Sequence, residues 1–208
     1  MKPSQRAAQT PASPLPGSRT SADPATTALL AAAREIFEAG GLPALSVRGV
    51  AEAAGCTTMQ VYSRLGGKDG LLQALFDEGF EALSSAQQAV PKALPAAERV
   101  RRLCHEYLRI AAERPHHYAL MLGAHSGDFK PPPASQARAL ATLAISSMRW
   151  GHALPPTQDR EQRALEVAHQ ILAFCHGWAM LSATRVVDGS RTAVIDRAVA
   201  ALLGKDPT

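Results

Sequence analysis

Apolar side chains recur every three or four residues along most of this chain, which is the period of a helix with one buried face. The first such segment begins at Asp23 and Pro24, which are typical of a helix start. It ends at Gly40-Gly41, where glycine allows a left-handed C-terminal turn. We therefore predict a first helix with a single buried stripe, formed by Leu29, Ala33, Ile36, Phe37 and Gly40.

Two short helices separated by a glycine turn are predicted next. Ser46 is the expected N-cap of the first, and Gly55 supplies the turn that follows it. Thr57 is the expected N-cap of the second, in which Val61 and Leu65 lie four residues apart and point the same way. The order helix, turn, helix is typical of a helix-turn-helix.

The remainder of the chain is also predicted to be helical, and prolines mark most of the breaks between helices. No stretch alternates apolar and polar residues long enough to predict a strand. The fold class is therefore expected to be all-α. The later predicted helices cover residues 68–89, 95–114, 116–122, 134–150, 159–187 and 191–203.

Residues 1–22 have a different composition, rich in proline and serine and almost free of large apolar side chains. Such a segment buries too little surface to offset its chain entropy, so a disordered arm is predicted. The 208-residue chain contains no uncharged apolar stretch of roughly 18 residues and no signal-peptide pattern. We expect a cytoplasmic protein without a membrane partner.

Charge and cysteine content narrow the function only slightly. The formal net charge of +4 favours an anionic partner such as nucleic acid, although residues 24–69 are nearly neutral. Three widely separated cysteines, Cys56, Cys104 and Cys175, predict free thiols and no disulfide framework.

Motifs for catalysis and metal binding are missing from the sequence. No nucleophile-elbow, phosphate-loop or dinucleotide-binding pattern occurs, so an enzyme is not expected. The histidines at 116, 117 and 125, and at 169 and 176, lack the accompanying CxxC or HExxH spacing. We expect no metal and no cofactor.

Candidate nucleic-acid contacts lie in the third predicted helix and just beyond it. The second helix of a helix-turn-helix enters the major groove, where its first residues reach base edges. Hydroxyl, amide and methyl groups suit base edges, and Gln60 can address adenine through both amide atoms. The same residues are also compatible with a solvated connector helix. The candidates are Thr57, Thr58, Met59, Gln60, Tyr62, Ser63, Arg64 and Lys68.

Residues 28–75 resemble the N-terminal DNA-binding domain of TetR-type (TetR/AcrR) transcriptional regulators. The motifs that carry the resemblance are an alanine-rich helix ending in Phe37 and Gly40, and the Ser46-Val47-Arg48 entry to the second helix. The tyrosine and lysine that the family uses on phosphates correspond to Tyr62 and Lys68. The resemblance thus adds Ser46 and Arg48 to the candidates.

Some positions depart from the family pattern. Arg64 and Leu65 stand where the family usually has histidine and phenylalanine, and Val50 and Cys56 replace its isoleucine and valine. Arg64 still supplies a hydrogen-bond donor, and Leu65 still supplies an apolar anchor. The expected DNA role is therefore retained, while the placement of the recognition helix is open.

The segment "QILAFCHGWAMLSATR" resembles the long penultimate helix of one C-terminal subgroup of the family. This helix is apolar around so much of its circumference that both its own core and a partner are expected to cover it. In the family the last two helices form a four-helix dimer interface. The interface candidates here are Val167, Ile171, Phe174, Trp178, Val194 and Val199.

The resemblance implies three regions: an arm at 1–22, a helix-turn-helix domain at 23–68, and a helical ligand-binding and dimerisation domain at 69–208. It implies a homodimeric repressor that binds a pseudo-palindromic double-stranded DNA operator and is released by a small apolar effector. A ligand-binding dimer without a DNA role, or an enzyme, is the alternative. The pocket candidates, which are equally compatible with simple core packing, are Tyr118, Met121, Leu122, Trp150, Phe174, His176, Trp178 and Met180.

Overall fold

The computed structural model describes residues 23–123, 128–151, 160–187 and 191–202. Within these ranges every regular element is an α-helix, which confirms the all-α prediction. The predicted arm at residues 1–22, His125 and the side chain of Trp150 lie outside the described part. The helices are α1 Pro24–Ala44, α2 Val47–Ala53, α3 Thr58–Leu65, α4 Lys68–Gln88, α5 Ala96–Glu113, α6 Pro115–Leu122, α7 Pro133–Gly151, α8 Arg160–Ala183 and α9 Arg191–Leu202.

The end of α1 differs from the prediction. Gly41 has φ 63° and ψ −155°, so the regular helix is interrupted there as expected, but one further turn continues to Ala44. A Cβ atom on Gly41 would lie 2.7 Å from Nδ1 of His116 in α6. Glycine is therefore needed both for the backbone conformation and for the close approach of α6 to α1.

The first three helices form the predicted helix-turn-helix. Phe37 of α1, Val50 of α2 and Val61 of α3 are buried together in the hydrophobic core. Gly55 makes the turn between α2 and α3 with φ +63°, a conformation that favours glycine. These contacts fix α3 on the outside of a small apolar centre.

Helix α4 connects this unit to the rest of the chain. It packs against α1 and α3 at one end and against α5, α6 and α7 along its length. Helix α8 then packs on α5 and α7, while α9 packs on α5. Helix α8 ends at Ala183 rather than at Val187, and the other predicted bounds agree closely. None of the helices in the described ranges is long and apolar enough to cross a membrane.

Candidate nucleic-acid interface and helical core

Helix α3 begins with a capping box. The backbone N–H of Thr57 donates to Oε1 of Gln60 at 2.8 Å, and the backbone N–H of Gln60 donates to Oγ1 of Thr57 at 3.3 Å. This reciprocal pair satisfies two free N–H groups of the first turn and holds the start of the helix rigidly. The Thr-x-x-Gln spacing is visible in the sequence and could have predicted the reciprocal cap, although only Thr57 was expected to act as one.

The capping box limits what Gln60 can do for a ligand. Its amide oxygen already accepts the N–H of Thr57, so binding adenine through both amide atoms would break the cap. The amide N–H groups of Gln60 have no partner among the described residues. With the cap intact, the amide NH2 group of Gln60 is the part that can donate to a base.

One face of α3 is open to solvent. Met59 is 74% exposed and Tyr62 is 59% exposed, and Thr58 and Ser63 are exposed beside them. On the opposite face Val61 is fully buried. This face is therefore accessible to another molecule.

A two-glycine turn joins α3 to α4 and positions Tyr62. Gly66 and Gly67 have φ +75° and +86°. A Cβ atom on Gly67 would lie 2.8 Å from the Tyr62 ring, so the ring rests directly on this turn. Lys68, the first residue of α4, is exposed immediately after it. The turn thus places a tyrosine and a lysine close together in the chain on rigid backbone.

The cationic side chains of the first three helices, together with Lys68, fall into two groups. Arg34 pairs with Glu78, and Arg64 pairs with Asp23. Arg48 and Lys68 are exposed and have no acidic partner within the described ranges. The near-neutral sum of charges therefore conceals two cations that are available to an anion such as DNA phosphate.

Of the two residues predicted to cap helices beside this surface, one makes the expected cap and the other does not. Asp23 stands at the N-cap position of α1 but makes no side-chain cap, because its carboxylate accepts from Arg64 instead. Ser46 caps α2, since its Oγ accepts the backbone N–H of Gly49 at 3.1 Å. The hydroxyl proton of Ser46 remains able to reach a phosphate.

Glu78 of α4 joins the helix-turn-helix to the larger domain. It accepts from Arg34 of α1 at 2.6 Å and from Arg114, between α5 and α6, at 3.2 Å. Burial alone would raise the pKa of Glu78, but the hydrogen bond and charge of Arg34, together with the hydrogen bond from Arg114, lower it below its ordinary value. The ionised carboxylate is therefore the stable form at this joint.

His117 of α6 lies at the same joint. It is 1% exposed, its ring packs edge-on against Phe37, and its Cβ lies beneath Gly79 of α4. Neither ring nitrogen has a hydrogen-bond partner among the described residues. Burial lowers the pKa of His117, with the charge of Glu78 acting in the opposite direction. A neutral imidazole therefore packs between the two parts of the molecule.

A chain of polar groups crosses the core of the larger domain. The hydroxyls of Tyr107 and Tyr118 are 3.0 Å apart, and the Tyr118 hydroxyl is 2.7 Å from Nδ1 of His176. Burial raises the pKa of Tyr118 to about 12 and raises that of Tyr107 further. Both phenols are therefore neutral, and each hydroxyl is satisfied inside the protein.

All three cysteines are free, and two of them are buried in this core. Hydrogen bonding from Cys104 of α5 and burial raise the pKa of the Cys175 thiol of α8. Cys175 therefore packs as a neutral thiol beside Cys104.

The described pocket candidates occupy several different environments. Tyr118 and His176 meet through their hydrogen bond, and the rings of Phe174 and Trp178 stack with centroids 6.5 Å apart. Met121 packs under Gly79 in the core, Leu122 is half-buried and Met180 is exposed. Two pockets in the described part, of about 250 and 180 Å³, lie between α1 and α6.

The interface candidates divide by burial. Val167, Ile171 and Val199 are buried in the core of this chain, so they are not available to a partner. Phe174, Trp178 and Val194 are half-buried, and Leu181, one turn beyond Trp178 on the same face, is 42% exposed. The accessible apolar ridge of α8 is therefore Phe174, Trp178 and Leu181.

Within the described ranges no three histidine, cysteine, aspartate or glutamate side chains are grouped as metal ligands. His169 is exposed, whereas His176 is engaged by Tyr118. These two histidines of α8 therefore lie in different environments.

Sequence profiles match both parts of the chain. The profile "Bacterial regulatory proteins, tetR family" matches residues 29–75, and "Tetracyclin repressor-like, C-terminal domain" matches residues 100–203. The second of these alone spans half of the chain. No curated protein sequence matches.

Solved structures share the fold at low sequence identity. A protein with unknown function from Rhodococcus sp. RHA1 is 23% identical, with a TM-score of 0.69 over 89% of this chain and 94% of that one. The TetR family transcriptional regulator PfmR from Thermus thermophilus is 16% identical, with a TM-score of 0.60 over 88% and 97%. The fatty acid degradation regulator FadR from Bacillus halodurans is 15% identical, with a TM-score of 0.60 over 89% and 97%.

Proposed function

Since the chain belongs to the TetR family of bacterial regulatory proteins, we propose that it regulates transcription by binding double-stranded operator DNA through α3 and the start of α4. The observation that carries this proposal is the exposed face of α3, which ends in Tyr62 and is followed closely by Lys68, a cation with no acidic partner among the described residues. A capping box and a two-glycine turn hold this face in place.

The side chains on this face have complementary roles. Thr58 and Met59 address base edges, because a hydroxyl can hydrogen-bond to a base and a methyl group can pack on thymine. Tyr62, Ser63 and Lys68 bind phosphate oxygens, and Arg48 adds a cation at the start of α2. Arg64 is held by Asp23, so its contribution depends on whether DNA phosphate replaces that carboxylate.

The operator-bound form is a homodimer whose two α3 helices enter successive major grooves of a pseudo-palindromic site. A small effector bound in the larger domain releases the DNA, which makes the protein a repressor. Helix α4 is the connection between the two events, because it packs on α1 and α3 and also on α5, α6 and α7. The effector acts by preferring one arrangement of α4 over the other.

Retardation of DNA from the region upstream of the protein's own or a neighbouring gene tests this function. We expect sharp retardation with nanomolar protein, no retardation of unrelated DNA of equal length, and steep weakening as salt rises. Equal affinity for both DNAs, or turnover of a substrate without any specific retardation, would overturn the proposal in favour of a ligand-binding dimer or an enzyme.

A further inference from the structure

Two pockets lie side by side in the cleft between α1 and α6. His116 lines both of them, and its Nδ1 would lie 2.7 Å from a Cβ atom on Gly41, so the ring stands against the end of α1. Their volumes are about 250 and 180 Å³. Each is below the roughly 300 Å³ at which ligand sites usually begin, whereas the two together exceed it. The cleft therefore has room for one small molecule that extends past His116 into both pockets.

The larger pocket is polar and has an excess of negative charge. Besides His116 it is lined by Glu38, Glu113, Arg114, Pro115 and His117. Arg114 is held toward α4, because it donates to Glu78 at 3.2 Å. Glu113 accepts from Arg109. Glu38 is exposed and forms no ion pair within the described ranges. The pocket therefore offers the Glu38 carboxylate to a positively charged ligand.

A buried imidazole adds hydrogen-bonding capacity to the same pocket. His117 lines it and is 1% exposed, yet neither ring nitrogen has a hydrogen-bond partner among the described residues. Burial lowers the pKa of His117, so its ring is neutral and one of its nitrogens is an acceptor. A neutral acceptor near a carboxylate suits the several N–H donors of an ammonium group without repelling its charge.

The smaller pocket is apolar. Its surface beyond His116 comes mainly from Phe37, Leu42, Pro43, Ala119 and Leu120. Phe37 and Leu120 are buried at its base, whereas Pro43 and Ala119 are exposed, so a ligand can enter from solvent. A hydrocarbon group placed here leaves water for apolar contacts. A cation that uses both pockets must therefore be organic and must carry an apolar group.

We propose that the cleft between α1 and α6 binds a small organic amine, whose ammonium group pairs with Glu38 and whose apolar group lies against Leu42 and Leu120. This site is distinct from the effector site proposed above, because it lies between the helix-turn-helix and the larger domain. A molecule that contacts both parts is linked to their arrangement, so amine binding and DNA binding alter each other's free energy. The coupling rests on the proposed function, whereas amine binding itself does not.

Calorimetry on the full-length protein tests the site with 3-phenylpropylamine and its uncharged analogue 3-phenylpropan-1-ol. We expect the amine to bind about tenfold more tightly, because only the ammonium group forms a charge-assisted hydrogen bond with a carboxylate. Glu38→Gln should remove most of this difference. Glu35→Gln should retain it, since Glu35 is an exposed glutamate of the same helix that lines neither pocket.

A second variant tests the apolar pocket. Ala119→Leu places a larger side chain there from an exposed position of α6, so it should weaken binding of the amine and of the alcohol. Glu38→Gln and Ala119→Leu should both melt at the wild-type temperature, because neither replaced side chain is buried.

Equal binding of amine and alcohol, or no binding of the amine, would overturn the site. Equal losses in Glu38→Gln and Glu35→Gln would do so as well, since they would indicate general attraction to a negative surface. Unchanged binding in Ala119→Leu would mean that the amine lies elsewhere in the protein.

Fluorescence anisotropy of operator DNA, with and without saturating 3-phenylpropylamine, measures the coupling. The amine should change operator affinity about fivefold or more in the wild type and leave it unchanged in Glu38→Gln. Amine binding without any change in operator affinity would overturn the coupling. Failure of the amine-free protein to bind operator DNA would instead contradict the proposed regulatory function, and the calorimetry would still decide whether the amine site exists.

Discussion

The side chains of α3 differ in whether they already form hydrogen bonds or ion pairs within the protein. Thr57 and Gln60 are committed to the capping box, and Arg64 is committed to Asp23. Thr58 and Met59 are exposed and engaged by no described neighbour. Base recognition in the proposed complex therefore depends chiefly on these two, and changing them should alter which sequence is preferred more than it alters affinity for DNA in general.

His117 gives the stability of the protein a predicted dependence on pH. Its pKa in the folded state is below the unfolded value, so the unfolded chain binds more protons as the pH falls through the unfolded value. Its contribution is therefore complete above about pH 6.5 and is lost on acidification. We expect the free energy of unfolding, measured with urea, to fall from pH 7.5 to pH 5.5 by less in His117→Gln than in the wild type.

The exposed His169 provides the control for this measurement. His169→Gln should retain the wild-type loss of stability over the same pH interval. An identical loss in His117→Gln and in the wild type would mean that the buried imidazole is protonated as readily as in the unfolded chain.

The sequence predicts some of these residue-level features and not others. Exposure of Tyr62 and Lys68 follows from their position in a helix-turn-helix, and the Thr57–Gln60 cap is a local pattern that the sequence also contains. The Asp23–Arg64 pair joins residues 41 positions apart, and no local pattern indicates it. Only the packing of α1 against α3 brings these two charges together.

Among the elements, the turn between α3 and α4 is the most restrictive. Gly66 lies in the left-handed helical region with open space around it, so Gly66→Ala should cost about 1 kcal/mol from the backbone alone. Gly67 has φ +86° and ψ −149°, a region essentially confined to glycine, and the Tyr62 ring occupies the space of a Cβ. Gly67→Ala should therefore cost about 3 kcal/mol.

Urea denaturation measures both losses, and DNA binding measures their consequence. Because Gly67→Ala also displaces Tyr62, it should weaken operator binding even at temperatures where the protein is fully folded, whereas Gly66→Ala should not. Equal losses of stability in the two variants would show that the tyrosine ring does not depend on this turn.

Helical periodicity predicts where the elements lie, because apolar spacing depends only on the local chain. It does not show how much of an apolar face of α8 the protein's own core covers. Val167 and Ile171 share a helix with Phe174 and Trp178, yet the first two are buried and the last two are half-buried. All four lie on one stripe of the helix, so the neighbouring helices cover its first half and leave its second half accessible. Apolar spacing alone does not indicate where that cover ends.

At the scale of the whole molecule, the ridge of Phe174, Trp178 and Leu181 is the proposed contact between two chains. A Cβ atom on the intervening Gly177 would meet nothing within 4 Å, which leaves room for the close approach of another helix. We expect Leu181→Glu to weaken dimerisation at least tenfold in sedimentation velocity. Each chain contributes the substituted residue to a symmetric interface, so two negative charges are introduced there.

Leu165 is the matched control, since it is an exposed leucine on a different face of α8. Leu165→Glu should leave the dimer intact. If Leu165→Glu dissociates the dimer and Leu181→Glu does not, the contact is formed by the other face of the helix.

Recognition of DNA by the α3–α4 surface is the central claim, and the affinity of two lysine variants for operator DNA tests it most directly. Lys68→Gln removes a cation from the proposed surface, whereas Lys92→Gln removes an exposed cation from the connection between α4 and α5. In fluorescence anisotropy titrations Lys68→Gln should weaken binding about tenfold and lower the salt slope by about 2 per dimer, since each chain loses one phosphate contact. Lys92→Gln should bind like the wild type. Unchanged affinity in Lys68→Gln, with both variants melting at the wild-type temperature, would contradict the assignment of this surface to DNA.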